Sequence, residues 1–218
     1  MASDVPHESV RVRRAEERAD YDPASVNAIL DEGMVAHVGT VRDGAPVVIP
    51  MYYVRDGARL LVHGAPASGV VRRSGESTPV CVTVTLLDGL VLARSSFHHS
   101  MNYRSVVVIG EAVEIRDPAD KDRALDLFVE RMLPGRGPTL RPTTTKELRA
   151  TSVLEIPLEY ASAKVRTGPP VDDEPDYALD IWAGVVPMST IYGAPEADPR
   201  LGDDVALPAN VADLTTPA

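Results

Sequence analysis

Cysteine, lysine and aromatic rings are all scarce in this 218-residue chain, and each scarcity excludes something. The single cysteine, Cys81, rules out disulfides and cysteine-ligated metal and fits a reducing cytoplasm. It lies in the apolar stretch "PVCVTVTLL" (79–87), where a free thiol behaves as a small hydrophobe. No stretch approaches the ~18 apolar residues that a membrane span needs, and the opening residues lack the basic start and apolar run of an export signal. The expectation is a soluble, cytoplasmic protein. Only three lysines (Lys121, Lys146, Lys164) stand beside nineteen arginines, the mark of a GC-rich coding bias under which a surviving lysine is informative. The net charge of −10 repels nucleic acid and anionic membranes, so neither is an expected partner, local basic stretches such as "RVRRAEER" (11–18) notwithstanding.

What the chain does have is 44% hydrophobic residues, enough for a real core, arranged mostly at strand period. "YDPASVNAILDEG" (21–33) reads as a short helix, with Asp22 as N-cap, Pro23 at the first position and Gly33 as the stop. β-branched and aromatic runs follow at 34–41, 46–54 and 59–63, separated by Asp43-Gly44 and Asp56-Gly57, dipeptides suited to tight type I′ hairpins. The same signal recurs around Asp88-Gly89, between runs at 79–87 and 90–96, and another strand starts at Tyr103. "DPADKDRALDLFVERMLPG" (117–135) is the clearest helix, capped by Asp117 and stopped by Pro134-Gly135. A short helix at 143–150 leads into a last strand at 152–160. Six or seven hairpin-linked strands with few helices leave two apolar edges unless the sheet closes on itself, so a small antiparallel barrel with peripheral helices is expected.

Several positions carry chemistry or a blander role. Pro50 interrupts a strong strand, which suits either an ordinary edge or a bulge where a ligand ring meets freed backbone groups. His63-Gly64 leads into "APASGVVRR", whose Ser68 and Arg72 or Arg73 suit a phosphate, although any turn into a helix offers such donors. His98 and His99 are adjacent, so on a strand they point to opposite faces and do not share one metal ion. Tyr103-Arg104-Ser105 places a ring, a fixed cation and a hydroxyl at a strand start, fit to stack on a ring or meet a phosphate, or else simply solvated. Lys164, Arg166 and Trp182 read either as core and surface residues or, for Trp182, as the closure of an aromatic site or a subunit interface.

The order of these elements, above all "NYRSVVVIGEA" and "VIPMYY", resembles the flavin-binding split-barrel superfamily of pyridoxamine 5′-phosphate oxidase-like proteins, in the branch related to nitroimidazole-resistance proteins, over roughly residues 22–190. The resemblance implies a mainly β fold, a six-stranded antiparallel split barrel with peripheral helices, in a homodimer with FMN in a shared cleft. It divides the chain into a flexible N-terminal segment (1–20), an FMN-binding domain with a C-terminal arm (21–192) and a loose tail (193–218). It implies cofactor contacts from Pro50, Met51, Tyr52, His63, Gly64, Ser68, Arg72, Asn102, Tyr103, Arg104, Ser105, Lys164 and Trp182. His63 would serve as proton donor, and Arg104 and Lys164 would place positive charge near the reduced ring or its phosphate.

The implied activity is an FMN-dependent oxidoreductase that takes electrons from a nicotinamide or deazaflavin donor and passes them to a small organic substrate. The arginine-rich end with which true oxidases grip a substrate phosphate is missing, so vitamin B6 oxidation is not expected. The alternatives are a flavin-carrying or regulatory module without turnover, and a haem-binding split barrel, since related barrels handle haem and five histidines are present. No metal ion is expected.

Overall fold

The computed structural model describes residue 5 and residues 7–65, 77–202 and 204–215. Among them are nine strands, β1 (Ala19–Asp20), β2 (Val35–Arg42), β3 (Ala45–Asp56), β4 (Arg59–Gly64), β5 (Thr78–Leu92), β6 (Ser100–Glu114), β7 (Ser152–Pro157), β8 (Ala161–Arg166) and β9 (Gly184–Pro187). The helices are α1 (Pro23–Glu32), α2 (Pro118–Met132), α3 (Thr145–Ala150) and α4 (Ala209–Asp213).

Every strand pairing is antiparallel, and the order β6-β7-β4-β3-β2-β5 returns to β6 through the long β5–β6 hairpin. Six strands thus form a closed ring, the split barrel expected from the sequence. β1 and β8 extend it beyond β6, and β9 extends it beyond β5. Closure removes the apolar edges that an open sheet of this composition would expose.

Alternation puts Ala36 and Val38, Val80, Val82 and Val84, Val106 and Val108, and Leu154 and Ile156 inside, where they form the core with Tyr53 and with Val26, Ile29 and Leu30 of α1. A smaller cluster of Val54, Leu61, Ala124, Phe128 and Val153 fixes α2 on the outside of β4 and β7. Both helix starts follow the sequence: Asp22 accepts from the Ala24 N–H, and Asp117 from the N–H groups of Ala119 and Asp120. The α1–β2 connection is tight. A Cβ on Gly33 would lie 2.6 Å from Val84 Cγ1 and 2.7 Å from the Tyr53 hydroxyl, so only glycine fits.

Four expectations change. Asp88-Gly89 is not a hairpin turn but a bulge, at Leu87/Gly89, within one continuous strand β5. Only the Asp43-Gly44 turn has both residues at positive φ, as type I′ requires; at the second hairpin Gly57 alone does, because the turn has shifted one residue to Gly57-Ala58. The run 152–160 splits into β7 and β8. The opening segment is packed rather than loose over the described residues: Val10 is buried, and β1 pairs with β8 through Ala19↔Lys164. At the other end, α4 docks on the end of α2, where the Asn210 amide donates to the Pro134 carbonyl at 2.9 Å. Among the described residues no helix is long and apolar enough to cross a membrane.

Candidate functional site

Strand register assembles the site. Residues opposite one another in neighbouring strands share a face, and the partners Pro50↔His37, His37↔Thr83, Thr83↔Val107 and Val107↔Ser162 make one continuous row across β3, β2, β5, β6 and β8. The row alternates with the buried core positions, so it lies on the outer face of the barrel. Beside it run Thr85, Ser105 and Lys164, then Leu87, Tyr103 and Arg166. On the other side Val48, Gly39, Cys81 and Ile109 line up, with Val48 63% exposed, and Gly39, Val41, Val48 and Cys81 border an apolar hollow of about 330 Å³. The two most specific sequence segments, "VIPMYY" and "NYRSVVV", therefore meet on a single face.

Parity sorts the candidate residues. Pro50, Tyr52, Tyr103, Ser105 and Lys164 belong to the outer face. Met51 packs against the core instead. Asn102 is buried, its amide donating to the Gly168 carbonyl at 3.2 Å and its oxygen accepting from Arg166. Arg104 leans to the opposite side, where it donates to Asp88 at 2.7 and 3.0 Å and binds both carboxylate oxygens of Glu32. Those hydrogen bonds, Glu32's first and Asp88's second, push its pKa further up and occupy the guanidinium within the chain. Gly64 ends β4 opposite Ser152. Ser68 and Arg72 lie outside the described residues. Cys81, read as a packed hydrophobe, is exposed on the outer face because the core positions of β5 are its neighbours Val80 and Val82.

Positive charge at this face comes from β8. Lys164 donates to the Arg14 carbonyl at 2.7 Å and, among the described residues, forms no ion pair. Arg166 is only 8% exposed, and its partners are the Asn102 side chain and the carbonyls of Gly168 and Pro169, none of them charged. Burial first, then the nearby Arg18 charge, lower its pKa. A buried cation whose bonds all go to neutral oxygens is costly unless an anion is nearby. In the sequence Arg166 has no site role of its own, because only the β6–β8 register sets it opposite Tyr103.

His63 stands on β4 beside Tyr52, its ring edge-on to Phe128 of α2 with centroids 4.6 Å apart. The Tyr52 hydroxyl donates to the Phe128 carbonyl at 3.4 Å. Burial lowers the His63 pKa, so its imidazole is neutral near pH 7, where it accepts a proton more readily than it gives one.

The arm is pinned where β5 passes to β6. The buried Asp172 carboxylate accepts from the Arg94 backbone N–H and guanidinium, both at 3.0 Å, and the guanidinium lies over the Tyr177 ring at 5.0 Å. His98 Nε2 stands 3.3 Å from Asp173, so a carboxylate absent from its own stretch of sequence reaches it through the fold. Three buried polar atoms in this short segment, Arg94 Nε, Ser95 Oγ and His98 Nε2, have no hydrogen-bond partner among the described residues. Beyond it the arm pairs as β9 with β5, and its Trp182 is 68% exposed. Among the described residues no group of histidine, cysteine and carboxylate side chains is arranged to hold a metal ion.

The outer face thus combines an apolar hollow, a line of hydroxyls and two cations that have no carboxylate partner among the described residues. No curated protein is significantly similar to the chain. Among solved structures, the flavocytochrome Anf3 from Azotobacter vinelandii is 42% identical over 97% of this chain and 99% of its own, with a TM-score of 0.92. The FAD and heme binding protein from Mycobacterium smegmatis is 38% identical over 91% of this chain and 97% of its own, with a TM-score of 0.86. A candidate 5-nitroimidazole antibiotic resistance protein from Bacteroides thetaiotaomicron shares the fold at 23% identity, over 67% of this chain and 86% of its own, with a TM-score of 0.55. The family model described as pyridoxamine 5′-phosphate oxidase matches residues 22–165, and the chain belongs to that family.

Proposed function

We propose that the protein binds a flavin on the outer face of β3, β2, β5, β6 and β8, carries a haem beside it, and acts as a flavin-dependent oxidoreductase on a small organic molecule or another electron acceptor. The observation that carries the flavin is the pair Lys164 and Arg166, set in register with Ser105 and Tyr103 and without carboxylate partners. The donor set fits such a group: apolar rows for a ring, Ser105 and the threonines for its polar edge, and two cations for phosphate. The haem reading is supported by two relatives, 42% and 38% identical, described as a flavocytochrome and as FAD and heme binding. Exposed Met101 at the start of β6, and exposed Phe97 just before that strand, offer apolar side chains to a large flat ring.

A bound flavin supplies hydride and single-electron transfer. The chain's residues hold and surround it. Lys164 and Arg166 balance its negative charge, Tyr103 offers a ring face, Pro50 presents a backbone position without an N–H, and His63 exchanges a proton with the acceptor. FAD is the proposed form, because the 38%-identical relative is described as binding it; FMN, implied by the family resemblance, is the competing outcome. A nicotinamide or deazaflavin supplies the electrons. The active unit is a homodimer with a shared cleft, a reading supported by exposed Val35, Val41, Val48 and Leu87 on the barrel and Trp182 and Ile191 on the arm, apolar side chains that a second copy would cover.

The absorption spectrum of the purified protein tests this reading, with chromatography of the released flavin and light scattering. Flavin bands, a Soret band, released FAD and a dimer are expected. A colourless protein that takes up neither added flavin nor hemin overturns it, and a flavin-only spectrum after hemin addition removes the haem part.

A further inference from the structure

We infer that His99 is the residue through which this chain binds haem iron, its Nε2 the ligand atom; the assignment rests on the haem reading above. A histidine that ligates a metal normally donates its other ring N–H to a carboxylate or a backbone carbonyl, which fixes the tautomer and aims the free lone pair. His99 has that arrangement ready-made. Its Nδ1 lies 2.8 Å from the Ser95 carbonyl, and a carbonyl only accepts, so Nδ1 carries the proton and Nε2 is left as a bare lone pair. The residue is exposed and Nε2 has no partner among the described residues.

The other four histidines lack this combination. His7 Nδ1 accepts from the Ser9 N–H, which leaves the proton on Nε2. The His98 Nε2 is buried and faces Asp173. Among the described residues, the His63 ring is half-buried against Phe128 with no orienting hydrogen bond, and His37 stands on the sheet with none either.

The surroundings fit a macrocycle. His99, at φ −59° and ψ 140°, directly precedes β6, whose outer column carries Met101, Tyr103 and Ser105. Phe97, two residues before His99, is 88% exposed, Met101, two residues after it, is 46% exposed, and Leu90 is 39% exposed. Leu90 and Met101 are cross-strand partners, which makes them one contiguous floor. The same column carries the proposed flavin contacts, so the two cofactors would sit side by side on one strand.

Reconstitution of the full-length protein with hemin tests the assignment, read by the Soret spectrum, by electron paramagnetic resonance of the ferric form and by the ferrous carbon monoxide adduct. His99→Gly should lower hemin affinity roughly a hundredfold, the upper range for disturbing a metal ligand's surroundings, and change the ferric spin state. Millimolar imidazole should restore the wild-type spectrum in His99→Gly, and His7→Ala, a change away from the proposed flavin face, should match wild type throughout. A folded His99→Gly with wild-type hemin affinity and spectrum overturns the assignment, as does loss of hemin binding in His7→Ala instead. A wild type that binds flavin but no hemin overturns the haem reading itself, and the assignment with it.

Discussion

Replacing Tyr53 by phenylalanine removes one buried hydrogen bond and almost nothing else. The tyrosine is fully buried, and its hydroxyl donates to the Leu30 carbonyl at 2.6 Å. Leu30 is in the last turn of α1, where carbonyls have no helical donor and need another. The neighbouring carbonyls are provided for: Ile29 accepts from the Gly33 N–H at 3.0 Å, and Asp31 and Gly33 accept from Arg131. Burial pushes the Tyr53 hydroxyl's pKa well up, so it remains a donor throughout the working pH range. Tyr53→Phe leaves the Leu30 carbonyl buried and unpaired, at a cost of about 1–3 kcal/mol. At about 2–4 °C per kcal/mol for a chain of this size, a 2 kcal/mol loss lowers Tm by roughly 4–8 °C. Thermal and urea unfolding measure it, and the urea midpoint should fall with its slope unchanged, since the surface exposed on unfolding is the same. The hydroxyl is also one of the atoms that a Cβ at Gly33 would strike, so Gly33→Ala should cost less in the phenylalanine background than in wild type. A Tm within about 1 °C of wild type, less than the share of 1 kcal/mol, refutes the reasoning.

Lys164→Ala should weaken flavin binding by one to two orders of magnitude, as loss of a charge-assisted hydrogen bond worth roughly 1.5–3 kcal/mol requires, while Arg104→Ala should leave it nearly unchanged; flavin titration of both variants checks the contrast. His63→Ala should retain flavin but slow acceptor reduction about 10²-fold in stopped-flow reoxidation. Because burial lowers the His63 pKa, its charged form grows only as pH falls below about 6.5, so the wild-type rate should rise toward acid and the alanine variant's should not. Gly89→Ala puts a Cβ 2.9 Å from the Val186 carbonyl oxygen, so β9 should come away from β5 and protease cleavage of the arm should increase with barrel stability little changed. At Asp172, burial raises the carboxyl pKa, but hydrogen bonds from the Arg94 guanidinium and backbone N–H outweigh it and hold the pKa below the usual value. A lowered carboxyl pKa stabilises above its unfolded value, about 3.9, and that gain is lost as pH falls through the folded value. The arm should therefore loosen only below about pH 4, seen as a shift in the fluorescence of Trp182, the chain's one tryptophan, whereas Asp172→Asn should loosen it already at neutral pH.

Local chemistry made much of the fold readable. Asp22-Pro23 and Asp117-Pro118 announce helices because cap and first turn are contiguous in sequence, and Asp43-Gly44 announces a hairpin because both residues adopt positive φ. Asp88-Gly89 carries the same letters but sits in a strand held on both edges, by β6 and β9, and there tertiary pairing overrides the turn signal. The site divides in the same way. Pro50, Tyr103, Ser105 and Lys164 stand out within their own segments. That Met51, Asn102 and Arg104 turn away is a matter of parity, which a one-residue uncertainty in strand phase erases. Arg166 and the Arg94–Asp172 clasp become visible only when distant segments meet, whereas His99 is marked by a local turn that brings the Ser95 carbonyl, four residues back, to its ring.

The pairing of β1 with β8 has a consequence in time. Ala19 meets Lys164 only when nearly the whole barrel has been synthesised, so the first strand must wait for the last one of the barrel wall. At roughly 5–20 residues per second, the ribosome imposes a delay of seconds to tens of seconds before that contact can form. During it the opening segment trails unpaired, and the face on which Lys164 and Arg166 will stand opposite Ser105 and Tyr103 does not exist. A flavin bound there, as proposed, would therefore load late, onto a chain whose barrel is finished and not onto one still emerging.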